Sequence, residues 1–225
     1  MNWEDEGFLL SKRKFKENTI IVNTFTKDKG RASGLVYGGT SRKVRNYLQI
    51  GNKIFFSYNL KNSSNIGYFK TELIKPVLPL IFDDKYKTAA LVSTLEILNI
   101  ILPEGQSNQK VYLNLDTLIN NLEEKNWFYR FINWELFLIK ALGFEFIIQN
   151  SKDIKNFNLT TKYKIDGDEY DIPNFLIANK FGQSLNNEQI FRSLLFTKEI
   201  FMNKFFIPNN IRLPKSRFIL EKYFC

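Results

Sequence analysis

The hydrophobic period changes once along this chain, near Pro76 and Pro79, and that switch constrains the fold more than any other feature. Before it, short runs rich in β-branched and aromatic residues are separated by turn residues. The runs are Gly7 to Arg13, Thr19 to Thr26, Ala32 to Tyr37, Lys53 to Asn59 and Ile66 to Ile74. Thr19 to Thr26 leads straight into Lys27-Asp28-Lys29-Gly30, which predicts a hairpin. Gly38-Gly39 and Gly51-Asn52 stand where a small sheet must bend sharply. Five short strands within 75 residues suit a small barrel.

After the switch the period is helical. Ala89, Ala90, Leu91, Leu95, Leu98 and Ile101 form a stripe that stops at Pro103-Glu104-Gly105, and Asp83-Asp84 in front of it reads as a capping pair. A second helix is predicted from Lys110 to Leu122 through Leu113, Leu115, Leu118 and Leu122. A third runs from Trp127 to Leu142 before Gly143, a suitable C-terminal cap. Its aromatics, Trp127, Phe128, Tyr129, Phe131, Trp134 and Phe137, have the composition of a bundle core. Residues 144–175 turn polar and contain a predicted hairpin around Asp166-Gly167. Asp168, Glu169 and Asp171 nearby lack the spacing of a calcium loop. Helices resume at Asn187 to Met202 and Pro214 to Tyr223. The expected organisation is a barrel over 1–78 and a mostly helical domain over 79–225, with a polar insertion at about 144–175.

Charge divides the chain at the same place. Residues 1–75 hold fourteen cations against six anions, so +8 of the total +9 lies in the first third. The abundance of Lys over Arg fits an AT-rich coding sequence, but a uniform bias does not produce such asymmetry. A basic barrel points to a polyanionic partner, and nucleic acid is the foremost one.

Other classes are removed by what the composition lacks. No histidine is present, which takes away the usual general base, Ser-His and Cys-His nucleophile pairs, and the commonest zinc ligand. One cysteine, Cys225, permits neither an intrachain disulfide nor a thiolate cage, which favours a reducing, cytoplasmic setting. The acidic start is unlike a secretory signal, and the apolar stretches fall short of the roughly 20 residues of a membrane span. No catalytic residues, metal or cofactor are expected.

The strongest local motif is Gly38-Gly39-Thr40-Ser41-Arg42-Lys43-Val44-Arg45, read as an exposed loop whose amides, hydroxyls and cations can contact phosphates. Its spacing is not that of a nucleotide-hydrolysing P-loop. Lys12-Arg13-Lys14-Phe15-Lys16 mixes cations with a ring, as single-strand binders do, and reads equally as an edge strand guarded by lysines. The candidate DNA-binding residues are Lys12, Arg13, Lys14, Lys27, Lys29, Arg31, Arg42, Lys43 and Arg45. Two readings from other classes stay open: an adaptor whose basic face docks an acidic protein, and an RNA-binding barrel.

Several motifs resemble the RecO family of recombination mediators. They are Trp3-Glu4-Asp5-Glu6-Gly7 with Leu9-Leu10, Ile20-Ile21-Val22 with Phe25-Thr26, Lys29-Gly30-Arg31, Gly38 to Lys43, Leu48-Gln49-Ile50-Gly51-Asn52 and, near the end, Leu213-Pro214-Lys215-Ser216-Arg217. The resemblance implies an α+β protein: an N-terminal OB-fold barrel, then a mostly helical domain carrying a small zinc-finger-like insertion. Residues 144–175 contain no Cys or His, so the insertion here lacks the zinc ligands. It further implies non-catalytic work in DNA repair: binding single- and double-stranded DNA and annealing strands coated by single-strand-binding protein. RecA loading would be assisted together with RecR, in the cytoplasm and at the nucleoid during repair. The acidic tail of single-strand-binding protein would dock on the helical domain, in an apolar groove whose rim cations are Lys110, Arg130, Lys140, Arg192 or Arg217.

Overall fold

A computed structural model describes residues 2–60, 66–144, 160–165, 167–177 and 185–225. Two compact units divide the chain, Met1–Ile119 and Asn120–Cys225.

In the first unit five strands close into a barrel in the order β1-β2-β3-β5-β4. They are β1 (Asn2–Lys16), β2 (Thr19–Thr26), β3 (Gly30–Tyr37), β4 (Lys53–Asn59) and β5 (Tyr68–Lys75). Neighbours run antiparallel except β3 and β5, which meet in parallel at Leu35 and Tyr68. This is the topology expected from the resemblance. Alternate residues fill the interior: Leu9, Ile20, Val22, Val36, Ile54, Phe56 and Phe69, joined by Leu48. Close packing makes Gly34 obligatory, because a Cβ there would stand 2.5 Å from the Phe69 ring.

β1 is longer than the predicted Gly7 to Arg13, because pairing rather than alternation sets its ends. Its first half pairs with β4 from Asn2 to Phe8 and its second half with β2 out to Lys16. Residues 38–47 also differ from expectation. Instead of an exposed loop, Ser41 caps a short helix α1 (Arg42–Tyr47) by accepting from Val44 N. Val44 and Tyr47 pack from α1 onto the barrel core, next to Leu48.

Three further helices belong to this unit: α2 (Leu78–Ile81), α3 (Lys85–Ile101) and α4 (Gln109–Asn120). The change of period thus separates strands from helices, while compactness keeps these helices with the barrel. Asp84 caps α3 as predicted, accepting from Tyr86 N at 3.0 Å and Lys87 N at 3.1 Å. On α4 the buried stripe is Val111, Tyr112, Leu115, Leu118 and Ile119; Leu113, expected in it, is 53% exposed. Tyr112 lies against Phe8 and Phe25 and donates to Glu6 Oε1 at 3.2 Å. Burial, then the Glu6 carboxylate, pushes its phenol above the usual range.

The second unit holds α5 (Trp127–Ala141), the hairpin β6 (Thr160–Ile165) and β7 (Asp168–Pro173), and α6 (Asn174–Ile177). After these come α7 (Asn187–Phe201), continued by a π-helical turn Met202–Phe206, and α8 (Lys215–Lys222). Phe128, Phe131 and Trp134 are buried, as the aromatic stripe predicted. Gly143, at φ +99°, ends α5 by donating to Lys140 O. The hairpin register, with Ile165 opposite Asp168, matches the predicted Asp166-Gly167 turn, although Asp166 itself and most of the insertion lie outside the described residues. Among the described residues no helix is long and apolar enough to cross a membrane.

Candidate nucleic-acid interface

The β1–β2 hairpin runs past the barrel core, and there its β1 residues are Lys12, Arg13, Lys14, Phe15 and Lys16. Opposite stands the turn after β3, where Gly38 takes φ +70° and Gly39 lies against Ile20. A Cβ on Gly39 would stand 2.5 Å from Ile20 Cγ1, so a side chain there would push the turn and the hairpin apart. Thr40 fastens the turn, donating from Oγ1 to Asn18 Oδ1 at 2.8 Å. Together Lys12, Arg13, Lys14, Ile20, Gly39, Thr40 and Arg45 enclose a cavity of about 270 Å³.

Lys12 and Lys14, on the face of β1 that pairs with Val22 and Ile20, therefore meet Arg45 at one recess from two segments distant in sequence, and Arg13 borders it from the other face of the strand. Lys12 is the anchored one: its Nζ donates to Leu48 O at 2.7 Å and to Gln49 Oε1 at 3.2 Å. Burial and, secondarily, the Arg45 guanidinium lower its pKa. Arg13, Lys14 and Arg45 remain exposed. A concave surface with fixed cations, a hydroxyl and a close glycine backbone can take a phosphate, with Ile20 as its apolar wall.

The remaining predicted cations are placed differently. Arg42 and Lys43 are exposed on α1 and outside the recess. Lys27 and Lys29 belong to the β2–β3 turn, at the far end of β2, seven residue steps or roughly 23 Å from Thr19. That turn is organised by Asp5 Oδ2, which accepts from Asp28 N at 2.7 Å and Lys29 N at 3.0 Å. Arg31 is engaged within the unit. Its Nε donates to Leu102 O at 2.7 Å, just past α3, and its guanidinium lies 3.9 Å from Glu104.

The five candidate partner-binding cations are divided between the two units. Lys110 is exposed on α4, in the first unit, whereas the other four belong to the second. Arg130 pairs with Glu124 at 2.8 Å, and Lys140 is exposed in the last turn of α5. Arg192 pairs with Glu188 at 2.6 Å and lines a cavity of about 360 Å³ that also receives Asp171, Glu188 and Glu199. Three carboxylates against one guanidinium make this cavity acidic rather than cation-rimmed, and desolvation first and Asp171 second raise the Glu199 pKa. Arg217 corrects the expectation most sharply: it has no exposed surface and is held among Glu135, Glu221, Thr197 and Leu194 O. Among the described residues no group of three or more potential ligands could hold a metal.

Two family models match the sequence. "Recombination protein O N terminal" covers residues 1–77, and "Recombination protein O C terminal" covers residues 83–153. A protein of Ehrlichia chaffeensis called DNA repair protein RecO is 35% identical over 146 residues, 64% of this chain and 59% of that protein. One of the same description from Hyphomonas neptunium is 37% identical over 147 residues, 64% of this chain and 60% of its own length. The match thus spans about three fifths of these two relatives. The relative from Wolbachia pipientis subsp. Culex pipiens, again described as DNA repair protein RecO, is 29% identical over 236 residues, covering 96% of this chain and 97% of itself.

Proposed function

This chain belongs to the RecO family, and from that membership together with the cationic recess we propose that it is a non-catalytic DNA-binding protein of DNA repair and homologous recombination. The observation that carries the reading is the meeting of Lys12, Lys14 and Arg45 at one concavity of the barrel, with Arg13 at its border. Each phosphate that meets such a cation releases condensed counterions, so binding is driven by salt release and is blind to sequence. Arg42 and Lys43 on α1 extend the positive surface from the recess into solvent. Annealing then needs only that two strands be held close with their repulsion screened, which takes no bond-making residue.

Single- and double-stranded DNA both present the phosphates this recess takes. Assistance to RecA loading together with RecR, and docking of the acidic tail of single-strand-binding protein, follow from the family resemblance. Of the five candidates for the tail, Lys110 in the first unit and Lys140 in the second are exposed and belong to neither the Arg217 cluster nor the acidic cavity.

The test is fluorescence anisotropy of a labelled oligonucleotide, single-stranded or duplex, between 50 and 200 mM salt, with strand annealing followed in parallel. The expected result is affinity falling by about tenfold or more over that range, as a few phosphate contacts require. A flat salt response removes the electrostatic mechanism. A matched RNA oligonucleotide binding much more tightly than DNA transfers the reading to RNA.

A further inference from the structure

The outer surface of the barrel carries a second feature that the recess does not use. Strand register places Arg13 opposite Ile21, Ile21 opposite Leu35, and Leu35 opposite Tyr68, one row across β1, β2, β3 and β5. Directly paired residues share a face, and Ile20, Val22, Val36 and Phe69, the alternating neighbours of this row, point inward, so the row faces out. Tyr37, two residues beyond Leu35 on the same face, is 62% exposed, and its ring centroid lies 5.8 Å from that of Tyr68. Along this row Ile21 is buried and Leu35 half-buried, with a tilted tyrosine pair at one end and Arg13 at the other. Three strand spacings separate the ends, roughly 14 Å. Lys70, exposed two residues after Tyr68, gives a cation beside the rings as well.

An aromatic ring left mostly in water on a strand, beside a second ring and close to Lys70, has the composition of a stacking platform. Unpaired bases offer a free π-face to such a ring, whereas bases inside a duplex are stacked on one another and present only phosphates and groove edges. From this juxtaposition, and resting on the DNA-binding reading above, we infer that Tyr37, backed by Tyr68, is a base-stacking site that makes the barrel prefer single strands to duplex. Arg13 borders the phosphate recess from the other face of β1, and Gly38-Gly39 leads from Tyr37 into that recess. One strand can therefore keep its phosphates on the recess cations while a base lies over Tyr37.

The experiment compares wild type, Tyr37→Ala and Tyr37→Phe on a labelled dT oligonucleotide and on a duplex of equal length at fixed salt. Thermal melts check that all three fold alike. Stacking on one ring predicts about a tenfold loss of single-strand affinity for Tyr37→Ala, less than twofold on duplex, and near-wild-type binding for Tyr37→Phe. Equal losses on both substrates, or no loss on either, overturn the stacking site. Should Tyr37→Ala bind like wild type while Lys14→Ala/Arg45→Ala weakens both substrates, the stacking site alone is lost and the phosphate recess stands. A wild-type protein that binds neither substrate in a salt-dependent way overturns both.

Discussion

Arg217 Nε lies 3.1 Å from Glu135 Oε1, and neither side chain has any exposed surface. Around this pair Thr197 donates to Glu135 Oε2 at 2.6 Å and accepts from Arg217 at 2.9 Å, while Leu194 O takes another guanidinium hydrogen at 2.8 Å. Glu221 completes the cluster, bridging Arg217 to Lys198. Such a network ties α5, α7 and α8 together.

Removing the cation strands a carboxylate in the interior. Arg217→Met should cost about 3–5 kcal/mol in urea unfolding at neutral pH, as loss of one buried partner does. Burial already raises the Glu135 pKa above its ordinary 4.5, with Arg217 opposing that rise. Without Arg217 it rises further, so the folded variant binds a proton that the unfolded chain does not, and stability increases as pH falls towards 5. The measurement is the variant's deficit at pH 7.5 and at pH 5.5; a deficit that does not narrow contradicts this account.

Lys53 has the corresponding place in the first unit. Its Nζ stands 3.1 Å from Glu6 Oε1 and 3.3 Å from Asp116 Oδ1, with the Phe8 and Tyr112 rings within 6 Å, so one lysine joins β1, β4 and α4. Lys53→Met leaves two carboxylates facing each other and should lower stability by about 1–2 kcal/mol, because both are partly solvated. Adding Asp116→Asn should recover part of the loss. Independent, additive effects in that double-mutant cycle would show that the three groups do not act together.

Gly39 sets the width of the phosphate recess. Gly39→Ala brings a methyl to 2.5 Å from Ile20 Cγ1 and should cost about 1–3 kcal/mol by overpacking. The cost should shrink in an Ile20→Ala background, since the atom it strikes is gone. Chemical denaturation of the four proteins gives the coupling, and a Gly39→Ala cost unchanged by Ile20→Ala would mean that the turn moves instead.

How much of this could be read beforehand depends on whether the signal was local. The bounds of β2 and β4 coincide with a β-branched run and an aromatic run respectively, and Asp84, Gly143 and the Asp166-Gly167 hairpin follow from short-range chemistry. The cations of α1 give it the composition of an exposed loop, although Ser41 with Val44, Tyr47 and Leu48 at helical spacing carries the pattern of a capped helix. The recess joins Lys14 to Arg45 through strand pairing, a contact that no window of sequence contains. Arg217 shows the opposite limit: charge alone does not tell a rim cation from one buried against Glu135.

Geometry also ranks the barrel cations, and that ranking can be measured as a salt slope. Lys14 and Arg45 line the recess, so replacing both with Ala should reduce the slope of log affinity against log salt by about two, one for each lost phosphate contact. Lys27 and Lys29 are the matched control. They carry the same charge at the opposite end of β2, on a turn held by Asp5. Lys27→Ala/Lys29→Ala should therefore leave the slope almost unchanged and weaken binding only through the protein's overall field, an effect that added salt screens. Equal slope changes in the two double variants would mean that the strand spreads over the whole barrel, and the recess would lose its claim to be the phosphate site.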